Sequence, residues 1–333
     1  MKNVKVLGLG HLVVDKCVNV TTSELATWGL QSEARTKIDS EYAQYIKTVF
    51  PERITKTVGG SIGNTIRLLA ALDISTSLIS AIGDDNDSIW LREKINELSI
   101  DDHLNGHAGA TGECFVFALE NGEKTMLFNP GVSHKLSKES IQADFFNHCK
   151  YFYSTAYMLQ TDSQQEALMQ SIEMARTNKS IIGLDLADKD VAYKYQDQIK
   201  ALLYSGKINH LFANRLEVVA LLGNSYESQV FDLLKKNSID YFLIKDGANG
   251  STIYSREAHL KIESKIVKVV DGTGAGDAYA AGFILAFLAG KSTDLIGKIA
   301  TECAGCVIQS HGVCFTKEDV SMVKNYLRED CDL

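Results

Sequence analysis

Val269-Val270-Asp271-Gly272-Thr273-Gly274-Ala275-Gly276-Asp277-Ala278-Tyr279-Ala280-Ala281-Gly282-Phe283 joins an apolar run to a glycine-rich turn and then, without a break, to a strongly apolar helical stretch. The glycines and the small Ala275 let successive N–H groups converge at the helix start, where unpaired donors and the positive dipole end attract anionic oxygen. The segment suits a phosphate or a developing negative charge. Asp277 falls in the first turn of that helix, where its carboxylate can cap the helix or accept a proton from a hydroxyl beside the anion pocket. Phosphoryl transfer to an alcohol needs a base near the attacking oxygen and donors around the transferred group, and residues 274–277 supply both.

Outward from this stretch, Val4 to Leu9 is an apolar segment ending in glycines, and Thr76 to Ile82, Ile181 to Leu186, His210 to Ala213 and Tyr241 to Ile244 repeat short runs that stop at Gly, Asp or Asn. These read as buried parallel strands. Between them, Leu91, Ile95 and Leu98, and again Leu168, Ile172 and Ala175, place apolar groups on one helical face. Alternating strand and helix predicts an α/β layered fold. Residues 11–57 and 107–131 break the rhythm, and within the second of these Cys114 to Leu119, the turn Glu120-Asn121-Gly122-Glu123, and Lys124 to Phe128 read as a hairpin. The expected organisation is an α/β core of residues 1–10, 58–106 and 132–333, with a β-rich lid of 11–57 and 107–131 closing over the carboxyl ends of the core strands. Pro51 and Pro130 fall near the crossings between the two parts.

The chain has 333 residues, 45% hydrophobic and 23% charged, which suffices for a large core and argues against disorder. A formal charge of −8 with no long run of Lys and Arg excludes nucleic acid or an anionic membrane as the main partner. The longest apolar run, Ala278 to Ala289, falls short of the ~18 residues of a membrane span, and the opening MKNVKVLGLG is too short for a signal peptide. A cytoplasmic protein is expected. The seven scattered cysteines fit reduced, buried thiols, and the lone C-x-x-C of Cys303 and Cys306 fits packing better than zinc.

The glycine-rich segment resembles the D-T-x-G-A-G-D signature of the ribokinase-like, or PfkB, family of carbohydrate and nucleoside kinases. Val58-Gly59-Gly60-Ser61-Ile62-Gly63-Asn64 resembles the family's G-G signature in the G-G-S-x-x-N form of adenosine kinases, and Asn214-Arg215-Leu216-Glu217 its N-x-x-E motif. The resemblance runs from about residue 4 to residue 315 and looks most like the bacterial adenosine kinase-like branch. It implies a three-layer α/β/α core with a mostly parallel central sheet and a small β-sheet lid, ATP as phosphoryl donor, Mg²⁺, and a hydroxymethyl group of a sugar or nucleoside as acceptor. A monovalent cation such as K⁺ is a further implied activator. By position, Asp277 matches the family's general base, and Gly274, Ala275 and Gly276 its anion hole, with Thr273 alongside. Asn214 and Glu217 match the pair that orders the water shell of Mg²⁺, a role that suits an amide and a carboxylate; alone they read as a strand-end turn and a surface acid. Lys245-Asp246-Gly247-Ala248-Asn249-Gly250 resembles the turn beside the nucleotide, to which Lys245, Gly247 and Gly250 would contribute; its plain reading is a β-turn.

On the acceptor side, Asp15 matches the aspartate that takes two neighbouring sugar hydroxyls, Gly60 lets the backbone approach the sugar, and Ser61 and Asn64 match polar contacts from the following helix. Three departures stand out. His11 replaces the usual Asn, Lys124 replaces a lid Arg that approaches the phosphates, and Gly272 replaces Thr or Ser. Phe115, Phe117 and Phe128 are candidates for a slot around a nucleoside base, or else lid packing. Unpaired lid edges admit a homodimer. Two rivals remain: a dinucleotide-binding oxidoreductase, weakened because Val13 stands where G-x-G-x-x-G needs its third glycine after Gly8 and Gly10, and a non-catalytic binding homologue.

Overall fold

In a computed structural model, residues 5–32, 34–120, 123–236, 239–256 and 259–328 are described. Val4 of the first predicted strand and Asn121 and Gly122 of the predicted hairpin turn lie outside them. Fourteen strands follow in chain order: β1 (Lys5–Leu9), β2 (Val13–Val20), β3 (Arg35–Lys37), β4 (Thr55–Gly59), β5 (Ser75–Ile82), β6 (Asp101–Gly106), β7 (Glu113–Leu119), β8 (Lys124–Asn129), β9 (Cys149–Thr155), β10 (Ile181–Asp185), β11 (His210–Asn214), β12 (Tyr241–Lys245), β13 (Ser251–Ser255) and β14 (His259–Ile262). The helices are α1 (Thr22–Thr27), α2 (Ser40–Val49), α3 (Ser61–Ala71), α4 (Asn86–Glu97), α5 (Asp162–Thr177), α6 (Lys189–Lys194), α7 (Gln196–Tyr204), α8 (Arg215–Leu222), α9 (Tyr226–Lys236), α10 (Ala275–Leu288), α11 (Thr293–Val307) and α12 (Lys317–Tyr326).

The large sheet has the order β14-β13-β12-β11-β10-β9-β1-β5-β6, parallel from β12 to β6 and antiparallel at β13 and β14. Its central strands are apolar on both faces because helices cover both. Val6 and Leu78 pack on one side with Ile66 of α3, Phe283 of α10 and Ile299 of α11. Leu7, Leu9 and Ile79 pack on the other with Ile172 of α5, Leu203 of α7 and Val218 of α8. All parallel strands therefore deliver their carboxyl ends, among them Gly10, Asp185, Asn214 and Lys245, to one edge of the core.

A second sheet, β3-β8-β7-β2-β4, stands at that edge. The predicted hairpin is β7 and β8, paired antiparallel. The segment 11–57 also carries two helices that a β-rich reading misses. The capping box of Thr21 and Glu24 starts α1, and Asp39 accepts from the Tyr42 N–H at 2.8 Å to start α2. These helices cover the sheet's outer face, where Val18, Leu25, Ile46, Phe50, Phe115, Phe117 and Leu127 form a core of their own. Phe115 and Phe117 are thus removed from any ligand slot, because strand alternation turns them outward; Cys114, Val116 and Phe128 lie on the inner face instead.

Helices α10 and α11 meet closely at Gly282, where a Cβ would come within 2.8 Å of the Ala300 Cα and the Cys303 Sγ. Cys303 and Cys306 are both buried on α11, as packing predicts, and among the described residues no helix is long and apolar enough to cross a membrane. Gly282→Ala is expected to lower the unfolding free energy by about 1–3 kcal/mol, measured by urea denaturation followed by circular dichroism. An unchanged midpoint would mean that the helices separate freely.

Candidate active site

The site grows from the start of α10. Gly274 precedes the helix with φ +76°, and a Cβ there would also lie 2.4 Å from the Val313 side chain, so the position needs glycine on two grounds. Of the first-turn N–H groups, that of Ala275 makes a long 3.4 Å bond to the Gly272 carbonyl, whereas those of Gly276 and Asp277 have no preceding helical turn to take them. Lys245, at the end of β12, brings its ammonium beside them: a Cβ on Gly276 would sit 3.2 Å from its Nζ. The Lys245 Nζ donates to Asp185 at 2.8 Å, and Asp185 also accepts from the Tyr153 hydroxyl at 3.2 Å.

Asp277 does not cap its own helix. Its two carboxyl oxygens accept from the Ser61 hydroxyl at 2.6 Å and the Asn64 amide at 2.8 Å, both on α3, and its carbonyl accepts from Thr65 at 3.3 Å. Burial raises the carboxyl to about 6; Ser61 and Asn64 pull it down, Asp185 pushes it up and Lys245 pulls it down. The Asn64 Oδ1 is buried and has no partner among the described residues.

Asp15, on the inner face of β2, is close enough to Asp277 to feel its charge. Burial raises Asp15 to about 7, with Arg67 opposing, Asp277 adding to the rise and Lys124 opposing. The glycine pair has a steric reason here. A Cβ on Gly59 would fall 2.1 Å from the Asp15 carboxylate, and one on Gly60, at φ +86°, would fall 2.1 Å from the His11 carbonyl. Gly60 therefore makes room for the backbone at His11. His11 is likewise already engaged: its Nε2 lies 2.5 Å from the Gln164 amide of α5, and its ring stacks on Tyr157 with centroids 6.2 Å apart. Burial first, then His134, lowers it to about 4, so the ring is neutral near pH 7 and its Nε2 accepts from Gln164.

From β8, Lys124 crosses to the glycine-rich turn, donating to the Thr273 hydroxyl at 3.1 Å and pairing with Asp271. Burial pushes the Asp271 carboxyl up, but Lys124 and Thr273 more than offset it and leave it below the usual range. Asn214 and Glu217 close a capping box at the start of α8, with the Glu217 carboxylate accepting from both the Asn214 N–H and its side-chain amide at 2.7 Å. Burial pushes Glu217 upward while Lys245 opposes, so this acid sits in the same electrostatic neighbourhood as Asp185. Gly247 and Gly250 form the turn after β12; a Cβ on Gly250 would lie 1.9 Å from the Ile262 carbonyl, which explains that glycine without any ligand.

The fold thus brings Asp277, Gly274 to Gly276, Asp15, Ser61, Asn64, Lys124, Thr273 and Lys245 to one cleft, with Asn214 and Glu217 at its flank. Sequence reasoning gave no role to Asp185, Asp271, Arg67 or Gln164. Asp185 had a signal, since it lies near the end of the predicted strand Ile181 to Leu186, and Asp271 opens the glycine-rich signature; Arg67 and Gln164 are identified only by the partners that folding supplies.

Residues 34–319 match the pfkB family carbohydrate kinase profile, and the chain belongs to that family. It is a phosphotransferase with an alcohol group as acceptor. An ATP-dependent ribose-1-phosphate kinase of Halopiger xanaduensis is 27% identical over 259 residues, spanning 76% of this chain and 81% of its own length. A probable sugar kinase from Rhizobium etli superposes with a TM-score of 0.88 at 24% identity, over 98% of this chain and 99% of its own. The adenosine kinase from Sinorhizobium meliloti superposes with a TM-score of 0.86 at 24% identity, over 96% and 98%.

Because Ser61 and Asn64 both stabilise the ionised carboxyl, Ser61→Ala and Asn64→Ala are each expected to raise the pH at which Asp277 ionises by about one unit. Carbon-13 shifts of labelled aspartate carboxyls, or the acid limb of the kinase pH profile, would report it. A midpoint that stays in place would show that these donors do not control the acid.

Proposed function

We propose that the chain transfers the γ-phosphoryl group of ATP to a hydroxymethyl group of a furanoside, with a nucleoside as the preferred acceptor. The observation that carries this reading is Asp277: a half-buried carboxylate beside the open helix-start N–H groups of Gly276 and Asp277, held by donors from another helix instead of capping its own. In this reading Asp15 takes two vicinal hydroxyls of the acceptor, and the unpartnered Asn64 Oδ1 accepts a third donor from it. The acceptor's primary hydroxyl then lies against Asp277, which removes its proton as the oxygen attacks the γ-phosphorus in line. Charge on the transferring oxygens is met by the N–H groups of Ala275, Gly276 and Asp277. The small sheet acts as the lid, and Lys124 exchanges Asp271 for those oxygens when ATP is bound. Closure expels water from the reacting groups.

Lys245 and Thr273 face the nucleotide phosphates, with Gly247 and Gly250 shaping the adjoining turn. Asn214 and Glu217, near Asp185 and Lys245, form a donor set that fits a hard cation held through its own waters, and Mg²⁺ there would neutralise charge on the ATP phosphates. Comparing potassium with tetramethylammonium chloride in the assay tests a monovalent-cation requirement. The unpaired edges β3 and β4 of the lid sheet offer a homodimer contact, tested by sedimentation equilibrium.

The preference for a nucleoside rests on the inner lid face, where Cys114, Val116, Met126 and Phe128 give an apolar strip. A second reading, an anionic sugar such as ribose 1-phosphate, is favoured by Arg35 and Lys37, which stand in register beside Met126 and Phe128, with Arg35 lying 3.7 Å from Asp188 of the core. An ATP-consumption screen over adenosine, inosine, ribose, ribose 1-phosphate and fructose, with product masses, separates the two.

Asp277→Asn is expected to lower kcat by about 10²–10⁴-fold without changing the melting temperature. The base works only when ionised, so wild-type kcat/KM should fall by about tenfold per unit as pH drops below about 6 and level off above about 7. Full turnover in the Asn variant, or a flat profile down to pH 5, would remove Asp277 from the role.

A further inference from the structure

Every one of the four strands that meet the core at a crossing contributes a polar side chain to one buried cluster. Lys16 of β2 is 3% exposed and pairs with Glu113, the first residue of β7, itself 2% exposed. The Asn129 amide, at the end of β8, donates to Glu113 at 3.3 Å, and Lys56 of β4 stands directly opposite Lys16 in the ladder. Lys47 of α2 completes the lid side at 3.0 Å from Glu113. The core supplies a single member, Asp87 in the first turn of α4, which pairs with Lys16 at 2.7 Å and Lys56 at 2.5 Å.

The start of α4 also fastens one crossing itself. Its cap, Asp85, accepts from the Thr111 N–H at 2.9 Å and the Thr111 hydroxyl at 2.6 Å, and Asp84 accepts from the Gly109 N–H at 3.0 Å. The cluster lies at the hinge end of the lid, on the sheet face away from Asp15, and touches neither the glycine-rich turn nor Asp277. Buried ion pairs contribute little net stability compared with apolar packing of the same volume, but they fix the relative placement of the groups that bear them. Among the described residues of this cluster, Asp87 is the one core charge through which that placement passes to the lid.

We propose that Asp87, through Lys16 and Lys56, is a positioning residue for phosphoryl transfer: it anchors the pivot that holds the lid where Lys124 meets the glycine-rich turn and Asp15 faces Asp277. The proposal rests on the lid-closing kinase reading above. Without Asp87, Lys16 retains Glu113, so the lid keeps its internal pairing but loses both of this cluster's ion pairs to the core. The acceptor is then gripped less well, and water reaches the γ-phosphorus, cleaving the same P–O bond of ATP to give ADP and phosphate in place of the phosphorylated alcohol.

The test is Asp87→Asn in the full chain, with Lys56→Met as a milder variant that breaks only the more exposed of the two lid-to-core pairs. For Asp87→Asn we expect acceptor KM to rise about tenfold with kcat within about twofold, and the share of ATP hydrolysed without acceptor to rise about tenfold. Hydrogen exchange should quicken in residues 113–129 and not in β1, β9 or β10. Lys56→Met should move each readout the same way by less. If both variants keep the wild-type KM, hydrolysis share and exchange pattern while only the melting temperature falls, the cluster is structural and the proposal is wrong. If the wild-type chain phosphorylates none of the screened acceptors, the kinase reading fails on its own, and the exchange pattern alone still decides whether Asp87 anchors the lid.

Discussion

A carboxylate buried at the positive end of a helix would ordinarily turn back and satisfy that helix's own N–H groups. Asp277 is prevented from doing so because Ser61 and Asn64 occupy both of its oxygens, at 2.6 and 2.8 Å. The N–H groups of Gly276 and Asp277 at the start of α10 therefore stay open to an external anion. Much else in the architecture serves this one contact. It requires α3 to lie against α10, and α3 is set in place by the glycine pair, whose missing Cβ atoms make room for the Asp15 carboxylate and the His11 carbonyl. Asp15, Asp277 and the glycine-rich turn are thus one packed unit spread over residues 15 to 277.

The electrostatics follow from the same packing. Burial raises both Asp15 and Asp277, the charge of Asp277 raises Asp15 further, and Asp185 in turn raises Asp277. Three cations stand against them: Lys245 against Asp185, Arg67 against Asp15, and Lys124 against Asp271. Two of these belong to the core and stay put; Lys124 alone arrives from the small sheet. The charge balance at the glycine-rich turn therefore depends on where that sheet sits.

Much of this was legible in the residues, but unevenly. Core strands announced themselves because burial on both faces demands unbroken apolar runs such as Ile181 to Leu184, and the glycine-rich turn because only glycine tolerates φ +76° against Val313. Parity was harder to read. Whether Phe115 or Cys114 faces the cleft depends on strand register, which a single residue's shift reverses and which the sequence does not mark. Helices α1 and α2 were hidden by their brevity and by surrounding β signals. The contacts that redefine His11, Gly60, Ser61 and Asn64 come from partners 49 to 216 positions away, so nothing local carries them.

The ordinary roles of several motif residues leave room for the chemical ones proposed for them. Asn214 and Glu217 form a capping box, and that is what an N-x-x-E spacing at a helix start produces from backbone geometry alone. Yet the cap fixes Glu217 in the field of Lys245 and Asp185, where a carboxylate with lone pairs to spare can also order waters around a cation. The same holds for Lys124. As a lysine it lacks the planar fork of an arginine, and a single ammonium cannot hold two phosphate oxygens in fixed geometry. It can, however, move between acceptors with little reorientation, from Asp271 in the absence of nucleotide to a transferring oxygen in its presence. A point charge on a flexible stem suits a residue that must release one carboxylate before it can neutralise another anion.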